Sequence, residues 1–434
     1  MRSALWPLLA AASVVSYSAH AQAPARRKVP LREALQLAAR QGPDVAAARA
    51  QAQIAEAQIR RAWTAWQPDL TANGTFDHTS APSSIPAGAL GAGSPAITLV
   101  GENSTYATFQ ISQPLLTPQG LFGPSVAYAG AESAARGADE AREQVLLGVA
   151  RAYLGLQGLE GLLDAARDAE KVALRREQDA RAQISAGTAV EIALLRAQTE
   201  TAQARAQIAA LEGQRDSLVP LLEALTGEPI EPSPGAPSEM GTPASESAQP
   251  WEEAFSVKSA VAAALAAQRQ TRLSSFLWLP TVAAAAKENY NSNSGFANKN
   301  WTYDLLINVS IPLYDRGTRY AQQHEDDAKL AQAQAKLASA RAQARANWIG
   351  SVANLTAAQA VLEQSNAQAQ LAARAQTQVE AGARAGVATS LDLSDADQKR
   401  FAAASAAAQA RASLEVRKAE VAAAEGRLYK LAAQ

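Results

Sequence analysis

The chain has 434 residues, of which 48% are hydrophobic but only 5% aromatic, so alanine supplies much of the apolar content. Its 40 basic and 41 acidic residues leave no cationic surplus, which argues against a nucleic-acid-binding protein. Cysteine is absent, which excludes a disulfide framework and a cysteine for lipid attachment. Because alanine has the highest helix propensity and buries little area, long, closely packed helices are favoured over a thick globular core.

Residues 1–23 have the pattern of a secretory signal peptide. Arg2 precedes an apolar segment, and the small residues Ala19, Ala21 and Ala23 fit a signal-peptidase site. An uncleaved anchor is the alternative, but a spanning helix needs roughly 20 apolar residues and this run is shorter. The sequence therefore predicts an exported protein that is not lipidated.

Two similar units follow, at residues 24–227 and 251–434. The segment "DVAAARAQAQIAEAQIRRAWTAWQPDL" has the same pattern as "SVKSAVAAALAAQRQTRLSSFLWLPTV", and each ends in a proline that opens a strand. From the proline that closes the second strand to the glycine of the next helical turn is 73 residues in one unit and 74 in the other. This spacing indicates a tandem duplication. Each copy reads as helix, β-hairpin, long helix and return helix.

Each unit contains a predicted β-hairpin. The predicted strands are 68–79, 104–115, 280–291 and 301–313. Apolar and polar residues alternate along them, most regularly in the last, where every second residue from Tyr303 is apolar. The third strand is less regular, because Lys287, Glu288 and Asn289 follow one another.

These strands favour a membrane barrel, since strands of about 10 residues with one apolar and one polar face suit lipid outside and water inside. A soluble antiparallel sheet alternates in the same way and is the alternative. Four strands are too few to close a barrel alone and too widely separated for a compact soluble sheet. Four tryptophans near the strand ends suit interfacial anchors, although ordinary packing explains each of them equally well. They are Trp63, Trp66, Trp278 and Trp301.

The long helices are predicted at about 124–186 and 316–385, and the first would be roughly 95 Å long at 1.5 Å per residue. The return helices carry apolar residues at seven-residue steps. These residues are Leu211, Leu218 and Leu225 in the first copy and Leu414, Val421 and Leu428 in the second. Residues 228–250 are rich in Pro, Ser, Gly and Glu, and are predicted to form a surface linker without a packed element.

The signal peptide, the tandem copies, the prolines at the helix-to-strand joints and the glycine turns "SAGTAVEIALL" and "RAGVATSLDLSDAD" together resemble the TolC-like outer-membrane efflux protein family. The order and spacing of these parts carry the resemblance, which covers essentially the whole chain after the signal. It implies a mainly α fold with a membrane β-barrel portion. Three chains would share a 12-stranded β-barrel and continue as a long α-helical barrel.

The resemblance also implies a function and partners. The homotrimer would be the channel of a tripartite efflux or type I secretion system in the outer membrane of a Gram-negative bacterium. It would contact outer-membrane lipid and receive substrates through a periplasmic adaptor protein from an inner-membrane pump.

In this family, carboxylates six and nine residues after the turn glycine of the second hairpin face the pore. Counting from Gly386, this implies that Asp392 and Asp395 form acidic rings at a cation-selective constriction. Two simpler interpretations stay open. Thr389 and Asp392 have the spacing of a capping box, and Asp395 can pair with Lys399 four residues later.

By the same resemblance, the adaptor docks at the two hairpin tips. The predicted docking residues are Gly187, Thr188 and Val190 in the first tip and Gly386, Val387 and Thr389 in the second. The alternative is that both glycines only end helices. Thr188 and Glu191 repeat the capping-box spacing. Ala193 and Ala388 stand where family members can carry an acidic residue and an arginine, so no salt-bridged lock is expected.

Few residues of the chain are candidates for catalysis. The histidines after the signal are His78 and His324, and the chain has no Gly-rich phosphate loop or serine-nucleophile motif. Three acidic residues follow His324, but consecutive helical residues point in different directions, so a solvated face is favoured over a metal site. We expect no enzyme activity, cofactor or metal. The alternative function is a non-conducting periplasmic coiled coil or the adaptor itself, which would need a lipoyl-like β region.

Overall fold

The computed structural model describes residues 26–89, 91–188, 190–233, 240, 243–293 and 299–433. The predicted signal peptide lies outside the described residues, as does part of the predicted linker. The described part is predominantly helical. None of its helices carries an apolar stretch long enough to cross a membrane.

Each unit contributes four α-helices within the described ranges. The first unit contributes α1 (Leu31–Gln41), α2 (Pro43–Trp63), α3 (Pro118–Ser185) and α4 (Glu191–Thr226). The second contributes α5 (Phe255–Ser275), α6 (Thr318–Arg384), α7 (Ser390–Ala424) and α8 (Leu428–Ala433). With 68 and 67 residues, α3 and α6 are each about 100 Å long at 1.5 Å per residue. Helix α3 packs against α4, α6 packs against α7, and α3 also packs against α7, so the two hairpins lie side by side.

The start of α3 depends on local hydrogen bonds. The Thr117 hydroxyl accepts from the Gly120 amide at 2.9 Å, which caps the helix six residues before the predicted boundary near Pro124. Pro124 lies inside the helix and cannot donate to the carbonyl of Gly120. The indole N–H of Trp66 donates to that carbonyl instead, at 2.8 Å. This bond ties the segment before the first strand to the start of α3.

The strands form one large sheet and two small pairs. They are β1 (Arg27–Val29), β2 (Asp69–His78), β3 (Ser83–Ile85), β4 (Ile97–Val100), β5 (Asn103–Leu116), β6 (Ile230–Pro232), β7 (Thr281–Asn291) and β8 (Trp301–Ser310). The large sheet is antiparallel in the order β2, β5, β7, β8, so β5 and β7 join the two units and β2 and β8 are its edges. The predicted last strand extends to residue 313, whereas β8 ends before Pro312, which has no backbone donor.

The segment 228–250 departs from the predicted unpacked linker. Strand β6 lies in it and pairs in parallel with β1, and Ile230 is buried. The Tyr153 hydroxyl donates to the Val29 carbonyl at 2.8 Å and accepts from the Ser233 amide at 3.1 Å. The proline and serine content indicated solvation, but these hydrogen bonds satisfy the backbone and allow this part of the segment to pack.

The main core lies around the middle of α3, where α1, α4, α7 and α8 meet β1 and β6. Its buried members include Leu35, Leu146, Val149, Leu222 and Leu428. Away from this core the helices pack through small side chains. Gly158 of α3 faces Ala412 of α7, and most of the buried residues of α7 are alanines. Small side chains let helices approach closely, which agrees with the alanine-rich composition.

Candidate functional site at the hairpin tips

Both helical hairpins turn through the same backbone motif. Gly187 and Gly386 have φ angles of 72° and 77°, left-handed values that glycine adopts without a steric penalty. The amides of Thr188 and Val387, which follow the glycines, donate to carbonyls five residues earlier, both at 2.9 Å. These are Schellman motifs. The helix-ending role of the glycines is therefore confirmed, and their role in docking stays a prediction.

The predicted docking residues lie at these two turns, three on each. Val190 is 68% exposed and Val387 is 82% exposed. Leu391, beside the second turn, is 60% exposed. Thr188 and Thr389 are also exposed. Exposed apolar side chains gathered at a helical turn are typical of a protein contact surface.

Asp392 caps the start of α7. Its carboxylate accepts from the Thr389 amide at 2.8 Å and from the Thr389 hydroxyl at 2.7 Å, and the Asp392 amide donates to that hydroxyl at 3.2 Å. The predicted capping box is therefore confirmed. Hydrogen bonds from the Thr389 side chain, and next from its backbone, lower the pKa of Asp392. Asp392 thus carries its charge at the first turn of α7.

The first hairpin has no equivalent cap, so the predicted Thr188–Glu191 capping box is wrong. Both return helices begin four residues after the turn glycine, which places Val190 rather than Thr188 at the N-cap of α4. Valine has no side-chain acceptor. The Thr188 hydroxyl instead donates to the carbonyl of Gln183 at 3.0 Å.

Asp395 lies near the start of α7 and pairs with Lys399 at 2.7 Å. The Asp395 side chain is 57% exposed, so this ion pair contributes little to stability. Asp392 and Asp395 are three residues apart and share one helix face. Both local partners considered for these carboxylates are present, and the pore role of the two residues stays a prediction.

A charged cluster joins the two hairpins near the tips. Arg176 of α3 donates to Glu380 of α6 and to Asp397 of α7, both at 2.9 Å. Gln376 donates to the same two carboxylates at 2.8 Å and accepts from Arg400 at 3.0 Å. We call these five residues the Arg176 cluster. Arg176 and Asp397 are 221 positions apart, so no local sequence pattern could reveal the contact.

The Arg176 cluster corrects the expectation of a tip without a salt-bridged lock. Burial opposes the charge of Arg176, but its hydrogen bonds and the charges of Asp397 and Glu380 raise the pKa of Arg176 above its ordinary value. The guanidinium therefore stays charged and ties the first hairpin to both helices of the second. The cluster lies away from Ala193 and Ala388, whose side chains cannot form an ion pair.

A groove of about 940 Å³ runs between the two hairpins. Its wall includes Asp168 of α3 and Phe401 and Ala404 of α7. Asp395 and Ala404 are nine residues apart, and at about 100° per residue they lie on opposite faces of α7. Neither Asp392 nor Asp395 is among the residues that line this groove.

The large sheet has one apolar face. Cross-strand pairs such as Leu70 with Ile111 and Leu305 with Ala286 lie on it, and the polar residues of the same strands occupy the other face. The large apolar side chains of this face are exposed. They include Leu70, Phe76, Phe109, Ile111, Tyr303, Leu305, Ile307 and Val309. A contiguous apolar surface of this kind marks contact with lipid or with another chain.

The tryptophans beside the strands have packing partners within the chain. The Trp278 and Tyr320 rings are 5.0 Å apart, and so are the Trp301 and Tyr290 rings. Trp63 is 48% exposed. Trp278 and Trp301 therefore each have an aromatic packing partner, and the interfacial role of the tryptophans stays a prediction.

A model of the outer membrane efflux protein family matches residues 34–228 and 249–427, which is most of the chain and includes both hairpins. The chain belongs to the outer membrane efflux protein family. This confirms the TolC-like resemblance. An outer membrane efflux protein is a channel rather than an enzyme, and the family is distinct from the adaptor and coiled-coil alternatives.

Solved outer-membrane proteins share the fold of this chain. VceC from Vibrio cholerae is 18% identical with a TM-score of 0.76, and the match covers 91% of this chain and 96% of VceC. CmeC from Campylobacter jejuni is 14% identical with a TM-score of 0.77, covering 92% and 85%. MtrE from Neisseria gonorrhoeae, in an open state, is 18% identical with a TM-score of 0.75, covering 91% and 88%. No curated protein matches the chain in sequence.

Proposed function

We propose that three copies of this chain form a channel in the outer membrane of a Gram-negative bacterium, after removal of residues 1–23. The observation that carries this proposal is the open four-stranded sheet, which has an exposed apolar face and two edges, β2 and β8, without a neighbouring strand in the described chain. Unpaired edges are not tolerated in lipid, so the sheet needs further strands. Three copies supply 12 strands, an even number suited to a closed membrane barrel.

The helices continue this barrel as a periplasmic tunnel. Helices α3 and α6 are long enough to extend about 100 Å away from the sheet. Side-by-side packing of the two hairpins, repeated around a threefold axis, would give a closed wall of helices. A non-conducting coiled coil would need neither the apolar sheet face nor its two edges.

The distal tips are the proposed docking site for a periplasmic adaptor, which in turn joins an inner-membrane pump in an efflux or type I secretion system. Exposed Val190 and Val387 support this assignment, because apolar side chains at a turn suit a helical partner. Photo-cross-linkers placed at these two positions should capture a co-expressed adaptor. Capture from Tyr314, equally exposed but close to the sheet, would contradict a tip-specific contact.

The two acidic rings are the proposed constriction. Asp392 is ionised and Asp395 is exposed on the same face, and three copies around an axis would concentrate negative charge. Asp392→Ala combined with Asp395→Ala should abolish cation preference in planar-bilayer reversal potentials. Asp168→Ala is the control, because Asp168 lines the groove between the hairpins, where neither ring carboxylate lies.

The conductance test examines the acidic rings, and a test of assembly examines the channel itself. Together they distinguish failure of the rings from failure of the channel. Heat-modifiable trimers extracted from the outer-membrane fraction by detergent would support the channel, whereas a monomer that is soluble without detergent would refute it. Trimers whose cation preference is unchanged in the double variant would refute the acidic rings alone.

A further inference from the structure

Glu288 interrupts the apolar face of the sheet. It lies on β7 directly opposite Phe109 of β5 and Tyr303 of β8. Directly opposite residues in an antiparallel sheet share a face, and Tyr303 is 79% exposed on this one. The preceding Lys287 lies directly opposite Asp304 on the polar face. The irregular part of this strand therefore places one carboxylate among apolar side chains.

Nothing in the described part of the chain neutralises this carboxylate. The Glu288 side chain is exposed and has neither an ion pair nor a hydrogen bond there. Strand β7 is an inner strand, flanked on both sides by strands of the same chain. A second copy that pairs with either edge of the sheet would leave Glu288 uncovered, so in the proposed barrel it faces the membrane.

The position of Glu288 along β7 corresponds to the headgroup region of the membrane rather than to its hydrocarbon core. Two residues nearer the hairpin loop, Tyr290 packs against Trp301 with ring centroids 5.0 Å apart. Aromatic side chains at the ends of barrel strands mark the membrane interface. At about 3.3 Å per residue, Glu288 lies within ~7 Å of this pair along the strand. Tyr303, opposite Glu288, belongs to the same aromatic level.

We propose that Glu288 contacts the phosphate of an anionic outer-leaflet lipid through a shared divalent cation. This inference rests on the proposed function, because it needs the hairpin loops at the outer surface. A carboxylate and a phosphate repel each other directly, whereas Mg²⁺ or Ca²⁺ accepts oxygen ligands from both and keeps water for the rest of its shell. The Tyr303 phenol supplies a hydrogen-bond donor at the same level.

The test compares trimers in nanodiscs of lipid A with trimers in nanodiscs of dephosphorylated lipid A. The readout is the temperature of trimer dissociation, with Mg²⁺ or with EDTA. We expect Mg²⁺ to stabilise the wild-type trimer by several degrees in the phosphorylated lipid only. Glu288→Gln should lose this increment, and Glu288→Asp should retain most of it. Asp304→Asn is the matched control, because Asp304 follows Tyr303, the residue opposite Glu288, but lies on the polar face. This variant also removes a carboxylate and should behave as wild type.

An equal Mg²⁺ increment in Glu288→Gln and wild type would overturn the inference, as would an equal increment in the dephosphorylated lipid. If Glu288→Gln does not assemble, the wild-type trimer still decides, since an equal Mg²⁺ increment in phosphorylated and dephosphorylated lipid would exclude the phosphate contact. Wild-type protein that fails to form trimers would overturn the proposed function, and this inference with it.

Discussion

Glu143 is a buried carboxyl group at the junction of α3 and the C-terminal helix α8. One of its oxygens accepts from the Tyr429 amide at 2.9 Å, and the other has no partner in the described chain. The guanidinium of Arg142 lies over the Tyr429 ring, 4.5 Å from its centre. Burial raises the pKa of Glu143 from 4.5 to about 7, against the smaller lowering effect of the amides of Tyr429 and Leu428.

This shift predicts a pH-dependent stability. The folded protein holds a proton on Glu143 where the unfolded chain has lost it, so the stabilisation is complete below pH 4.5 and is lost as the pH rises through about 7. The free energy of unfolding falls by up to ~3 kcal/mol per chain over this pH range. Glu143→Gln should flatten the decline in melting temperature between about pH 5 and pH 8. Glu132 is exposed on the same helix, so Glu132→Gln should show the same dependence of melting temperature on pH as the wild type. A similar flattening in Glu132→Gln would contradict the assignment of this dependence to Glu143.

Arg176 is one of the residues that connect the two hairpins, and it contacts both helices of the second. Arg176→Ala leaves Glu380 and Asp397 facing each other without their shared cation, at a cost of about 1–3 kcal/mol. We therefore expect the tips to separate more readily, seen as a larger mean conductance in planar bilayers and a lower melting temperature. Arg181→Ala is the control, because Arg181 pairs with Glu177 of its own helix. Equal effects of the two variants would show that the Arg176 cluster does not hold the tips together.

At the scale of elements, the contact between α3 and α7 depends on a missing side chain. A Cβ atom on Gly158 would overlap the Cβ of Ala412, so the two helices approach closely only because residue 158 is glycine. Gly137 of the same helix faces open space. The two glycines therefore test packing against intrinsic helix propensity within one element.

Gly158→Ala should lower the free energy of unfolding by about 1–3 kcal/mol, because overpacking outweighs the gain in helix propensity. Gly137→Ala should raise it by up to ~1 kcal/mol, since alanine is the better helix former and meets no obstacle. Thermal unfolding of both variants in detergent measures the difference. A stabilising Gly158→Ala would mean that α3 and α7 are not in close contact.

At the scale of the whole molecule, the duplicated units are not independent. Strand β5 of the first unit pairs with β7 of the second, and the Arg176 cluster joins the hairpins at the opposite end. The two units are therefore joined both at the sheet and near the tips. In the proposed trimer, the apolar face of the sheet, which is exposed in a single chain, would be the surface that contacts lipid.

Two adjacent residues of β8 test this lipid contact. Ile307 is 76% exposed on the apolar face, and Asn308 lies on the polar face. Ile307→Arg should cost about 2–4 kcal/mol per chain in a lipid-facing strand and should abolish heat-modifiable trimers in the outer-membrane fraction. Asn308→Arg should assemble nearly as well as wild type, because its side chain reaches water. If both variants assembled equally, the apolar face would not be a lipid contact.

The sequence by itself determined the approximate helices and strands, the turn glycines, the capping box at Thr389 and the family. These features depend on spacing along the chain, because side chains alternate every two residues in strands and return to one face every three to four residues in helices. The exposed apolar face of β8 is an example, since Tyr303 to Val309 alternate in the sequence as they do in the sheet.

Only the tertiary structure decided which distant residues meet. The Arg176 cluster, the pairing of β6 with β1, the burial of Glu143 and the position of Glu288 between Phe109 and Tyr303 all join segments that are far apart in the chain. The charged form of a carboxylate is stabilised or destabilised by the groups around it. Spacing along the chain does not specify which groups those are. Chain folding sets them, because it brings side chains together from helices and strands with no local relation to one another.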